Sequence, residues 1–122
     1  MALDIDVGFE KQPRGLESFL KNEKYFPERV RGLGPNCTFY TRECNTWPKV
    51  FFYKKPVKVE EGDAPNWGEA GFHVVAEVNI NYPAHDDNAI DEAERLSRKL
   101  IKRFNGILYD PDLDSYFRKD DL

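Results

Sequence analysis

FHVVAEVNINYPAHDDNAIDEAERLSRKLIKRFNGILY, residues 72–109, changes its apolar period from two residues to three or four and back again, and that change decides the fold. Over 72–81, Phe72, Val74, Ala76, Val78 and Ile80 alternate with His73, Val75, Glu77, Asn79 and Asn81, which predicts a strand covered on one face and largely polar on the other. Over 86–105, Ala89, Ile90, Ala93, Leu96, Leu100, Ile101 and Phe104 recur at helical spacing. Acidic Asp86, Asp87, Asp91, Glu92 and Glu94 fill the first half of that helix and basic Arg95, Arg98, Lys99, Lys102 and Arg103 the second, which suits its macrodipole. Asp91–Arg95 and Glu94–Arg98 have the favourable four-residue spacing, Gly106 is a natural stop, and ILY at 107–109 resumes extended structure.

Working outward, ALDIDVGF at 2–9 alternates without a break: Leu3, Ile5, Val7 and Phe9 on one face, Ala2, Asp4, Asp6 and Gly8 on the other. RGLESFLKN after Pro13 places Leu16, Phe19 and Leu20 on one side of a short helix. Residues 23–36, with Pro27, Gly32, Gly34 and Pro35, read as an irregular connection. CTFYTR at 37–42 and KVFFYK at 49–54 form a hairpin, followed by a brief edge strand near Val59 and a surface loop pinned by Trp67. Asp110-Pro111 starts a turn from which SYF, 115–117, returns as a short strand.

The resulting order predicts one α+β domain over residues 1–122, a ferredoxin-like split β-α-β architecture whose antiparallel sheet has two helices packed on one face. The open face would carry His73, Glu77, Asn79 and Asn81 beside aromatics of the 37–54 hairpin.

Two tryptophans, six tyrosines and nine phenylalanines in 122 residues are enough for one ordinary core and argue against disorder. MALDIDVGFEKQPRG lacks a basic and apolar leader pattern, so a cytoplasmic protein is expected. The net charge of −4, from 18 basic and 22 acidic side chains, disfavours nucleic acid and anionic membranes as partners and favours a basic one. Neither hairpin strand has the pattern of an RNA-recognition sheet. Cys37 and Cys44, with His73 and His85 far along the chain, match no zinc spacing and are expected as reduced thiols.

The ending GILYDPDLDSYFRKDDL carries the chemistry most open to question. D-x-D-x-D at 110, 112 and 114 overlaps the start of a calcium loop, but the sixth place is Ser115 instead of glycine and no helix leads in, so a solvated Asp-Pro turn is expected. In His85-Asp86-Asp87 an aspartate reads as a helix N-cap. His73 and Glu77 stand two pleats apart on one strand face and suit an interface better than acid–base work. With no nucleophile elbow, phosphate loop or HExxH, neither enzymatic activity nor a cofactor or metal is expected.

Where the 86–105 helix meets FNGILYDPDLDSYF, the chain resembles small bacterial immunity proteins that neutralise contact-dependent or secreted polymorphic toxins. The resemblance covers the last fifty or so residues and is one of style, without a diagnostic motif. It implies a binding protein that occludes the active site or substrate path of a cognate toxin with a basic surface, as a monomer or homodimer. Asp110, Asp112, Asp114 and Tyr116 are the first choices for partner contact, and Trp47, His73 and Glu77 the second. The alternatives are a small-ligand-binding regulatory domain of the same architecture and a small hydrolase or metal-dependent enzyme.

Overall fold

The computed structural model describes residues 2–42, 46–56 and 65–122. They form an α+β fold: an open seven-stranded antiparallel sheet and two α-helices. The strands are β1 (Ala2–Phe9), β2 (Phe26–Glu28), β3 (Cys37–Thr41), β4 (Lys49–Tyr53), β5 (Ala76–Pro83), β6 (Ile107–Asp110) and β7 (Ser115–Phe117). Helix α1 spans Leu16–Asn22 and α2 Asp87–Phe104, and the sheet order is β2-β3-β4-β5-β1-β6-β7. The edge strand expected near Val59 lies outside the described residues, as does Cys44.

The long pairing of β1 with β5 sets the two faces. Ile5 lies opposite Ile80 and Val7 opposite Val78, while Asp4 lies opposite Asn81 and Asp6 opposite Asn79. Because opposed residues share a face, one register sorts apolar from polar side chains across both central strands. The larger core joins Val7, Phe9, Tyr40, Val50, Val78 and Ile80 of the sheet to Leu16 and Leu20 of α1 and to Ala93, Leu96, Leu100 and Ile101 of α2. Phe104 meets Phe9 and Phe19 edge-on, with ring centroids 6.2 and 5.5 Å apart.

Asp86 caps α2, its carboxylate accepting the Ala89 N–H at 3.1 Å, as the sequence pattern requires of a helix start. The predicted Asp91–Arg95 and Glu94–Arg98 pairs do not form. Arg95 instead donates to Glu92 at 2.6 Å and to Glu23 at 2.6 Å. Glu92 also accepts from the buried Tyr25 hydroxyl at 2.7 Å and pairs with Arg42 at 2.8 Å. A partner three residues away plus tertiary partners outcompetes one solvent-exposed helical pair.

Gly106 has a different role from the one its position suggests. The left-handed residue that ends α2 is Asn105, with φ 54° and ψ 45°, whereas Gly106 lets the chain pass close to β1. A Cβ there would lie 2.7 Å from Val7 Cγ1 and 3.1 Å from Phe9 Cε1. Gly106→Ala is therefore expected to cost about 1–3 kcal/mol in urea unfolding, as overpacking does; an unchanged midpoint would contradict this contact.

Two elements depart from the sequence reading. Phe26–Glu28 was expected to be irregular but pairs with Phe39–Thr41 as an edge strand, where Pro27 is tolerated because an edge residue needs no second ladder bond. In the second departure, β5 begins at Ala76, four residues later than the alternation of 72–81 predicts. Residues 65–75 turn back instead, with Gly71 at φ 88° and the Phe72 N–H bonded to the Trp67 carbonyl at 2.8 Å.

Candidate functional site

The turned-back segment corrects the expectation of one uniformly open sheet face. Gly8 points away from the helical residues, and a Cβ on it would lie 2.9 Å from Val74 and 3.0 Å from Trp67. Trp67, Phe72 and Val74 thus cover this face, in a second cluster with Ile107, Tyr109 and Tyr116. The absence of a side chain at Gly8 is what admits the indole.

Two of the second-choice residues are altered by this covering. Glu77 is buried, and its carboxylate accepts the Trp67 indole N–H at 3.0 Å. His73 is exposed on the covering segment and shares no strand face with Glu77. Tyr116 is likewise structural: its ring packs against Trp67, Phe72 and Tyr109, and its hydroxyl accepts the Asn66 N–H at 3.0 Å and donates to the Asn66 carbonyl at 3.2 Å.

The other half of the face carries a carboxylate–amide ladder. Asn79 Nδ2 donates to Asp6 at 2.9 Å, and Asn81 Nδ2 donates to Asp4 at 2.5 Å. Asp4 is exposed while Asp6, Asn79, Asn81 and Phe51 are half-buried. Burial raises the Asp6 carboxyl to about 6; Asn79 opposes that rise, and the Glu77 and Asp4 carboxylates add to it. Nearby Tyr53 is pushed up to about 12, first by burial and then by Cys37, Glu77 and Asp6. Cys37 is an unbridged thiol, itself pushed up by burial.

The terminal aspartates close the β6–β7 hairpin. Asp110 accepts the Asp112 N–H at 2.9 Å and Asp114 accepts the Tyr109 hydroxyl at 3.1 Å, so two of the three already serve the turn. Asp114 also takes a positive φ of 46°, which aspartate tolerates better than most residues. Asp112 is exposed, and its carboxylate has no hydrogen-bond or ion-pair partner among the described residues. No group of three or more His, Cys, Asp or Glu among the described residues is placed to hold a metal ion.

Register brings several of these groups to one end of the sheet. Lys49, Asn81 and Asp4 occupy one row across β4, β5 and β1, and the 111–114 turn extends it beyond β6. Trp47, partly exposed, holds Lys49 Nζ 4.4 Å from its ring centroid at the same end. Strand spacing puts it about 14 Å from β6, within the reach of one interface. Helix α2 starts at this end with Asp86 and Asp87 and finishes at the other with Lys102 and Arg103.

Between α2 and the β1–β6 part of the sheet, that acidic end opens into a groove of about 320 Å³. Leu3, Ile5, Leu108 and Tyr82 form its apolar lining, and Asp4, Glu94, Asp110 and Asp112 its acidic part. Sequence reading placed Asp4 on an outward strand face but did not single it out, and it passed over Tyr82 and Glu94, which only the packing of α2 brings to Asp112.

No protein-family model, curated protein or solved structure matches this chain. No helix among the described residues is long and apolar enough to cross a membrane.

Proposed function

We propose that this chain is a cytoplasmic immunity protein that docks its acidic end on a basic surface of a cognate bacterial toxin, blocking the toxin's active site or substrate path without catalysing a reaction. The observation that carries this reading is the gathering of Asp4, Asp110, Asp112 and Asp114 with Trp47 at one end of the sheet, opposite the basic end of α2. An aromatic anchor at the same end of the sheet as exposed carboxylates supplies both contact area and attraction toward a cation. His73, Glu77 and Tyr116 leave the contact set, because the first stands on the covering segment and the other two support it.

We also read the strand order as a ferredoxin-like split β-α-β with β2 and β3 inserted between α1 and β4. Order β4-β5-β1-β6, with β1–α1–β4 and β5–α2–β6 as its crossovers, supports that reading, as does the shared core of the two helices.

Calorimetric titration with the toxin encoded by a neighbouring gene tests the proposal. Saturable binding that weakens with salt is expected, and Asp112→Lys should reduce affinity about tenfold or more, mainly through slower association. Binding with no salt dependence, or none at all together with no protection of toxin-expressing cells, would rule the reading out.

A further inference from the structure

Resting on the docking reading above, we propose that the groove between α2 and the β1–β6 part of the sheet is a socket for one arginine side chain of the partner protein. Its lining has two zones that match the two parts of that side chain. Leu3, Ile5, Leu108 and the Tyr82 ring offer an apolar wall to the methylene stem, while Glu94, Asp110 and Asp112 surround the place where a guanidinium would rest.

The three carboxylates are not equally free. Asp110 is held by the N–H groups of its own turn, while the Asp4 carboxylate is turned to the opposite face of the sheet by the Asn81 amide. The carboxylates of Glu94 and Asp112 have no partner among the described residues, so a guanidinium that meets either breaks no existing bond. Among the described residues that line the groove Arg98 is the lone cation, and it makes no ion pair with Glu94. Three carboxylates against one guanidinium leave the site anionic.

Tyr82 senses the same field. Burial pushes its hydroxyl upward first, and Glu94, Asp112, Asp4 and Asp110 push it further, so it stays a neutral hydrogen-bond donor and acceptor at the wall. A cavity of about 320 Å³ holds one long side chain with some of its water. It lies at the small end of the range for whole small-molecule ligands, about 300–1,000 Å³.

The test uses the full chain and acetyl-arginine methylamide as the probe, followed by NMR of the leucine and isoleucine methyls and the Tyr82 ring. Saturable shifts confined to Leu3, Ile5, Leu108 and Tyr82 are expected. The citrulline counterpart, equal in shape but uncharged, should produce none of them. Glu94→Gln with Asp112→Asn should weaken the probe about tenfold, while Arg98→Gln should tighten it severalfold, a gain that a merely structural role for these side chains would not produce.

Equal shifts with citrulline, shifts elsewhere only, or an unchanged double variant would overturn the socket. Toxin binding that survives loss of the probe site would remove the socket and leave the docking reading in place. Probe binding without toxin binding would instead remove the partner named for it.

Discussion

Replacing Trp67 with alanine is expected to lower the free energy of unfolding by about 3–5 kcal/mol, the range for deleting a large buried aromatic. The indole is buried, meets Tyr116 edge-on with centroids 5.6 Å apart, and fills the space that Gly8 leaves open. Its loss also removes the N–H that Glu77 accepts at 3.0 Å, so a buried carboxylate is less well solvated by the protein. Trp67→Phe separates the two contributions: it keeps most of the packing and should cost about 1–2 kcal/mol, mainly for the missing donor. Urea unfolding followed by far-ultraviolet circular dichroism reads both variants. A loss below about 1 kcal/mol for the alanine variant would mean that residues 65–75 do not seal this part of the sheet.

The second large effect has the opposite sign at neutral pH. Asp6 is held at about 6 in the folded protein against 3.8 for an unperturbed aspartate, chiefly by burial, so folding favours its protonated form. Below about pH 4 both folded and unfolded chains carry the proton and Asp6 lends its full share of stability. As pH rises toward and through 6 that share is lost, because the folded chain must then hold an ionised carboxylate with little solvent. Two pK units correspond to about 3 kcal/mol at most.

Asp6→Asn should therefore stabilise the protein by about 1–3 kcal/mol at pH 8, with the gain shrinking to near zero below pH 4. The substituted amide keeps an oxygen for the Asn79 donor. Chemical unfolding at the two pH values checks this, and an equal effect at both would refute the burial account.

Much of the fold could be read residue by residue. The alternation of Leu3 to Phe9 and the helical spacing of Ala89 to Phe104 each state which side is buried, and the described strands and helix obey both. Asp110-Pro111 likewise announced its own turn, since the Asp110 carboxylate needs only the next two N–H groups to do so. The candidate site was less legible. His73 and Glu77 share a strand face on paper, yet the chain bends before Ala76 because Gly8 offers Trp67 and Val74 a vacant place on the sheet. Tyr116 looked available for contact, but its ring and hydroxyl are both used within the second cluster.

Local periodicity by itself determined the α+β class, the long helix with an aspartate cap at residue 86 or 87, and the polar side of the two central strands, because each depends on residues within a few positions of one another. Tertiary structure alone decided the edge pairing of Phe26–Glu28, the burial of Glu77, the elevated Asp6 carboxyl and the meeting of Tyr82, Glu94 and Asp112. Those properties arise from contacts and desolvation between segments many residues apart, and their physical cause is set only when the segments share the same space.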